Sequence, residues 1–458
     1  MTLPEQPSVE ESLAIIVQLQ ERIVALEAEN TALREQLRKQ GPKPPLLSDL
    51  PHFVKPNKPK KEPKERKGRR QRDRGYSRPA SSYPARVVPL AVENCPDCGR
   101  PLSGGWLHAA REVIDILPAV TEVVQCLVMG RRCGVCRKRR LPRAQERKEA
   151  LAAAGACAFG QHRFGVRLAS LIAHLKTVGR MGVRTIQKLL ASLFGLSISA
   201  GGIVELLRAV ADAGKKTYDA LLSDLRASPF VHADETGWRE DGVNGYLWSF
   251  STPTIRLFVR DQSRSHDIPE RMLGSDYRGI LCSDFYSGYH YHLGEHQRCW
   301  VHLLRDNHHL KAAFADDERF AEVQDWCDRL YALYEDATSS CWLRKQDRVR
   351  ARADFQRRLV ALAHPYAGTQ APQATLATRL LRHEPEMFTF IEHPQVPSDN
   401  NAAERAVRPA VVARKVSGGT RSAAGSETFS ILMSLFGTWQ TRGVDPLAAC
   451  ADMLRNHA

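Results

Sequence analysis

The sequence predicts a multidomain protein whose C-terminal half is an α/β domain. The chain has 458 residues, enough for about three domains at roughly 150 residues each. Residues 151–225 repeat apolar side chains at helical spacing. From about residue 228 short apolar runs take over, three in succession and then alternating with helical stretches, which is the logic of an α/β sheet. Upstream of that core, four of the 11 cysteines form two C-x-x-C pairs, a spacing that signals metal or redox chemistry rather than disulfides in an intracellular protein.

Composition narrows the function. The apolar fraction of 43% excludes wholesale disorder. Lys and Arg number 66 against 51 Asp and Glu, a net +15, which calls for a polyanionic partner, either nucleic acid or an anionic membrane surface. No uninterrupted apolar stretch has the length of a membrane span. The opening Met1-Thr2-Leu3-Pro4-Glu5 leads into acidic residues rather than a basic and then apolar leader. A cytoplasmic protein with no membrane partner is expected.

Residues 1–41 are expected to form a coiled coil. Ile16, Leu19, Ile23, Leu26, Asn30, Leu33 and Leu37 fall on alternating three- and four-residue steps, a leucine-zipper-like seam. Asn30 at an a position favours a parallel two-stranded register, so a homodimer or higher oligomer is expected through this helix, which Gly41-Pro42 ends. Residues 42–90 form a basic, Pro-rich linker. Between Lys55 and Arg78, twelve Lys and Arg stand against three acids, so no core can form there. That block reads as a solubilising linker and as a salt-sensitive phosphate tether.

Residues 91–150 read as a zinc module. Cys95 and Cys98 form one knuckle and Cys133 and Cys136 another, with 34 residues between them and strand-like sequence at Val113–Leu117 and Thr121–Leu127. Four thiolates around one tetrahedral Zn²⁺ make a closed Cys₄ site, structural rather than catalytic; the alternative is two unrelated reduced pairs. Gly99 and Gly134 suit tight knuckle turns, and six basic residues from Arg131 to Arg140 favour contact with DNA. Residues 151–225 read as a helical DNA-binding segment. The helical run Val183–Leu190, the turn Gly195-Leu196-Ser197 and Ser199 capping a helix over Ile203–Ala211 resemble a helix-turn-helix, a pattern shared by many helical hairpins.

Residues 226–425 carry the chemistry, with a helical insertion over about 306–392 and a C-terminal helical segment at 426–458 following. Strands are expected at Pro229–Ala233, Tyr246–Phe250, Ile255–Val259, Gly279–Asp284 and Arg298–His302. Asp234 and Asp284 stand where two of these end, and such positions line the crevice of an open α/β sheet. Read as a helix, Ser398–Pro409 puts Ala402, Ala403, Ala406, Val407 and Ala410 on one side and Asn401, Glu404, Arg405 and Arg408 on the other. Three converging carboxylates either share a proton or bind a divalent cation. Oxygen ligands at a phosphate-handling site suit Mg²⁺ or Mn²⁺, and two such ions assist both the attacking and the leaving oxygen. In the plainer reading the aspartates merely end strands and Glu404 pairs with Arg408. Glu235, next to Asp234, is expected on the opposite side of its strand.

The strings His232-Ala233-Asp234-Glu235-Thr236, Ser283-Asp284-Phe285-Tyr286-Ser287-Gly288-Tyr289, Cys299-Trp300-Val301-His302-Leu303-Leu304-Arg305 and Ser398-Asp399-Asn400-Asn401-Ala402-Ala403-Glu404-Arg405-Ala406-Val407-Arg408-Pro409 carry a resemblance. In them, and in its order of segments over nearly the whole chain, the sequence resembles the insertion-sequence-66 family of DDE transposases. The resemblance implies a ribonuclease-H-like catalytic core, with Asp234, Asp284 and Glu404 as the catalytic triad holding two Mg²⁺ or Mn²⁺ ions. The 119 residues between Asp284 and Glu404 accommodate the helical insertion of such a fold. It also implies water attack at the ends of a mobile element, attack of the freed 3′-hydroxyl on target DNA, nucleoid association and accessory proteins of the same element. His302 and Arg305 are candidates to approach a phosphate or order the site. Asn400, Asn401 and Arg408 are candidates for DNA contact, and Lys415 and Arg421 for backbone phosphates. Arg344, Lys345, Arg348, Arg350 and Arg352 read as a solvated face. Two other readings stay open: a non-catalytic, zinc-containing DNA-binding regulator, and a hydrolytic nuclease of the same fold.

Overall fold

The computed structural model describes residues 92–104, 121–160, 162–340 and 343–457, together with Arg22. The expected coiled coil (Arg22 apart), the basic linker and the strand-like Val113–Leu117 lie outside the described residues. The chain divides into two compact units, Met1–Ile114 and Asp115–Ala458.

In the first unit the described residues form the Cys95 knuckle. The Cys95 N–H donates to the Arg100 carbonyl (2.9 Å) and the Gly99 N–H to the Cys95 carbonyl (2.8 Å). The second unit opens with the same turn. The Cys133 N–H donates to Lys138 and the Arg137 N–H to Cys133, both at 3.0 Å. Two short antiparallel strands, β1 (Arg131–Arg132) and β2 (Arg139–Arg140), flank it. The left-handed positions are Gly99 (φ +70°) and Arg137 (φ +57°), so in the second knuckle Arg137, not Gly134, makes the tight bend. Thr121–Leu127 forms no strand; Val123 and Leu127 are exposed, and no ladder partner lies beside them among the described residues.

Helices α1 (Ala144–Ala153), α2 (Val166–Thr177), α3 (Val183–Phe194) and α4 (Ala200–Arg226) follow. Gly195 ends α3 in the left-handed conformation, and the Ser199 hydroxyl accepts from the Gly202 N–H (3.0 Å) to cap α4. Helix α4 runs far beyond the expected Ile203–Ala211 because its apolar stripe continues through Tyr218, Leu221 and Leu225.

Strands β3 (Phe230–Glu240), β4 (Val243–Ser251) and β5 (Arg256–Asp261) come next, then α5 (Asp267–Leu273), β6 (Ile280–Ser283) and β7 (His296–Arg298). Among the described residues these five strands form one sheet in the order β5-β4-β3-β6-β7. The first three are antiparallel, and β3, β6 and β7 run parallel. Asp241 and Gly242, both at positive φ, close the β3–β4 hairpin as a two-residue turn. Strand β3 does not end at Asp234, as expected. Its pairing with β6 stops at His232 and its pairing with β4 continues to Glu240, so Asp234 sits where the parallel neighbour gives out.

The expected fifth strand is shorter and earlier. Strand β7 ends at Arg298, and Trp300 begins α6 (Trp300–Ala313), because Trp300, Leu303 and Asn307 bury at helical spacing. Helices α7 (Phe320–Ser339), α8 (Lys345–Ala363), α9 (Ala374–Arg382) and α10 (Thr389–Glu392) build a separate core around Trp326, Leu330, Leu359 and Phe388, which takes in Trp300. Arg352 is not part of a solvated face. Its guanidinium pairs with Glu295 (2.9 Å) and Glu392 (2.7 Å), tying α8 to the loop before β7.

Helices α11 (Asn401–Ser417), α12 (Ala423–Thr441) and α13 (Pro446–His457) complete the chain. One core crosses the expected boundaries at 225/226 and 425/426. It joins Ile172, Leu190 and Leu206 to Val231, Trp248 and Leu281 of the sheet and to Leu435 and Leu454. Helices α2, α3, α4, α12 and α13 are thus a layer on one of its faces, since an amphipathic helix must bury its stripe against another element. Helix α11 covers the other face, with Ala410 and Ala413 against Trp238, Leu247 and Phe258. The open edge of β5 is closed by side chains. Thr438 bonds both the N–H and the carbonyl of Arg256 (3.0 Å each), Ser434 accepts from the Phe258 N–H (2.8 Å), and the Tyr218 hydroxyl donates to the Phe258 carbonyl (2.9 Å). No helix of the described residues is long and apolar enough to cross a membrane.

Candidate active site

Side chains alternate along a strand, so His232, Asp234, Thr236 and Trp238 share the face that α11 covers. The start of α11 is fixed there by Asn400, which is 2% exposed. Its amide nitrogen donates to the Ala233 carbonyl (2.8 Å), and its amide oxygen lies 2.9 Å from His232 Nδ1. With the amide oriented by the carbonyl, Nδ1 must be the donor. Burial pushes the His232 ring toward its neutral form, which suits that bond. The Asn400 backbone N–H meets Cys299 Sγ (3.1 Å), and the Trp300 N–H donates to the Ser398 carbonyl (3.0 Å). Strand β3, the start of α6 and the start of α11 therefore meet at one residue.

This brings the three carboxylates into electrostatic range. Burial, and then the charges of Glu235 and Asp284 with a smaller part from Glu404, push Asp234 up to about 7. Asp284 follows β6 directly, and its Oδ1 accepts from the Tyr286 N–H (2.9 Å). Glu404 lies in the first turn of α11, half-exposed, 3.7 Å from His302 and 4.0 Å from Arg305. Those two residues stand three apart on α6, which places both on the side facing Glu404. The oxygens of the three acids do not all come within 4.8 Å of one another. Joint ligation of one cation therefore requires the three side chains to draw closer together. Oxygen donors from two aspartates and a glutamate suit a hard divalent cation such as Mg²⁺ or Mn²⁺, whose charge would favour the ionised form of Asp234.

Glu235 points to the other face. Its carboxylate takes bonds from the Tyr289 hydroxyl (2.6 Å) and from Arg264 (2.6 and 2.9 Å), which offset part of its burial. A further support was not visible in the sequence. Arg298, fully buried at the end of β7, donates to the Ser283 hydroxyl (2.9 Å) and the Asp284 carbonyl (2.8 Å) and pairs with Glu386. Burial pushes the Glu386 carboxyl up, but the His383 hydrogen bond and the Arg298 charge outweigh it and hold the group at about 2. In the sequence Arg298 stands between the polar Glu295-His296-Gln297 and the apolar Cys299-Trp300-Val301, which does not mark it for burial.

The remaining candidates divide. Asn400 is committed to the fold and is not a surface for DNA. Asn401 binds Asp399 through its side chain (2.6 Å) and its N–H (3.0 Å). Arg408 and Lys415 lie exposed on α11, and no ion pair engages either among the described residues. Within each knuckle, backbone N–H groups hold a thiol below its usual range: those of Cys98 and Asp97 act on Cys95, and those of Cys136 and Val135 act on Cys133. That favours the thiolate, the form that binds metal.

Residues 161–428 match the family model described as "Transposase IS66 family". The chain is 26% identical over 269 residues to the uncharacterized protein y4jD of Sinorhizobium fredii, covering 52% of each. It is 28% identical over 155 residues to the uncharacterized protein y4jO of the same organism, covering 34% of this chain and 46% of that protein. The chain spans about half the length of the curated relatives it matches.

The raised Asp234 has a measurable consequence in metal-free protein. An acid whose folded-state pKa exceeds its unfolded value binds its proton more tightly when folded. Its contribution is therefore complete below the unfolded value near 3.8 and lost as pH rises through about 7. In chelator, Asp234→Asn should remove this penalty and gain on the order of 2–4 kcal/mol relative to wild type between pH 5 and pH 8. Denaturant melts at the two pH values check it; parallel losses in both proteins would contradict it.

Proposed function

The chain belongs to the IS66 transposase family, and from that premise we propose that it cuts DNA at the ends of its insertion sequence and joins them to target DNA at Asp234, Asp284 and Glu404. The observation that carries this reading is the acidic cluster itself. One buried carboxylate, Asp234, has its ionisation held back to about 7 by burial and by the charges of Glu235, Asp284 and, less, Glu404, the last 170 residues away in the chain. Families of this kind imply DNA as partner. The sheet order β5-β4-β3-β6-β7, with three antiparallel strands and then a parallel pair, supports a ribonuclease-H-like core.

The three carboxylates would hold two Mg²⁺ or Mn²⁺ ions. When bound, such ions supply an activated water and neutralise charge on the phosphate. The protein's own part is positional. The buried Arg298 clamps the backbone at Asp284, Asn400 fixes α11 against β3, and the basic His302 and Arg305 stand beside Glu404. Arg408 and Lys415, exposed on the same helix, suit backbone phosphates of the bound strand. The spacing of the two C-x-x-C pairs in the sequence suits one structural Zn²⁺ at Cys95, Cys98, Cys133 and Cys136, and within each knuckle the depressed Cys95 or Cys133 thiol favours metal binding.

The full chain, with Mg²⁺, DNA carrying the element ends and a plasmid target, should cleave and join. Asp284→Ala should reduce both by roughly 10³-fold, since metal-assisted stabilisation is worth several kcal/mol. Joining retained in the variant would overturn the triad, and cleavage without joining in wild type would make the protein a hydrolytic nuclease. Elemental analysis of the purified chain should find one zinc per chain, lost in Cys133→Ser. Zinc absent from wild type, or unchanged in the variant, would refute the Cys₄ site.

A further inference from the structure

Beside the acidic cluster lies a cavity of about 300 Å³ with an apolar floor that includes Phe258, Met433 and Phe436, the half-buried Arg256, the exposed Arg180 and Arg405, and no carboxylate. That volume is at the lower end of ligand-sized cavities. The three arginines come from different places: the turn between α2 and α3, the first residue of β5, and α11 immediately after Glu404. None of them makes an ion pair among the described residues. Arg256 spends one Nη on the Thr252 (2.5 Å) and Ile255 (2.9 Å) carbonyls. That bracing holds the guanidinium in place without neutralising it. Gly437 allows the approach, since a Cβ there would lie 3.2 Å from Arg256 Cβ.

Register places the cavity relative to the acids. His232 faces Ser251 and Ser251 faces Arg256, so the three form one row across the sheet. Asp234, Ser249 and Phe258 form the next row on the same face. With strands about 4.8 Å apart and a two-residue step of about 6.7 Å, Arg256 starts roughly 12 Å from Asp234. Like charges are thus gathered next to a cluster of acids and left unpaired. Arg405 adds to the burial that already lowers the Arg256 pKa, a repulsion that a bound anion would relieve.

We propose that Arg180, Arg256 and Arg405 form a seat for a DNA backbone phosphate neighbouring the one that is cut. This rests on the reading of the acidic cluster as the cutting site. The pocket's own chemistry is recognition of a phosphodiester, in which guanidinium forks supply paired donors. Seated there, the strand would be held in register with the acids, so that binding energy gained at one phosphate positions another.

The test is equilibrium binding of a fluorescent random-sequence duplex oligonucleotide to the full chain, in chelator, over a salt series. Each phosphate contact contributes about 0.9 to the slope of log K against log salt. The double variant Arg256→Gln with Arg405→Gln should lower that slope by about 1–2 and weaken binding, while Arg256→Lys with Arg405→Lys should keep the slope near wild type. An unchanged slope in the glutamine variant overturns the seat, and so does an equal loss in the lysine variant, which would mark a packing defect. No bond is cut in chelator, so this result is separate from the cleavage assay. Failure of Asp284→Ala to abolish joining would strike the triad and leave the binding slopes standing.

Discussion

One buried amide holds the site together. Asn400 reaches the His232 ring, the Ala233 carbonyl and the Cys299 sulfur at once, residues that lie 168, 167 and 101 positions away in the chain. The need for such a pin follows from the helix it precedes. The buried face of α11 is Ala403, Ala406, Val407, Ala410 and Ala413. Small side chains let a helix approach a sheet closely, but they bury little area each and discriminate poorly between one register and the next. A polar network discriminates well, because a slipped register would strand a buried amide at a cost of about 1–3 kcal/mol. Glu404 is therefore positioned by hydrogen bonds four residues away, and not by bulk packing.

Around that pin the electrostatics are divided. Burial, with the charges of Glu235 and Asp284, makes Asp234 resist ionisation, whereas basic groups stand just outside: His302 and Arg305 against Glu404, Arg298 beneath Asp284, and Arg256 on the neighbouring row of the sheet with Arg180 and Arg405 around the same cavity. Perturbed acids of this kind gather where chemistry is done. Most of the net charge lies elsewhere. Residues 55–90 carry +10 and residues 151–458 only +4. Overall attraction to a polyanion and local handling of a phosphate are separate properties of this chain, assigned to different stretches of it.

Much of the sheet was legible from period alone. Alternation separates Glu235 from Asp234, and the two do face opposite sides, Glu235 toward Tyr289 and Arg264. The short runs ending near Asp234 and Asp284 mark the parallel pair β3 and β6. Other features have no signature in one dimension. Cys299-Trp300-Val301 is too short a run to show whether its period is two or 3.6, so a helix start reads as strand. The length of β3 depends on β4 as a partner, which extends it past Asp234. The stripe on α4 shows which face is buried but not that α12, α13 and the sheet all share it. Arg298, Asn400 and Arg256 are polar residues committed to the interior, and periodicity says nothing about which polar residue will be buried.

The most direct test is Mn²⁺ binding to the full, metal-free chain, followed by electron paramagnetic resonance at constant pH. If Asn400 sets the position of Glu404, then Asn400→Ala should weaken Mn²⁺ binding by roughly tenfold, a loss like that of Glu404→Gln and in keeping with one broken buried network. Arg408→Ala, on the exposed side of the same helix, should bind as wild type does. Wild-type Mn²⁺ affinity in Asn400→Ala, alongside a clear loss in Glu404→Gln, would show that the pin does not govern the site.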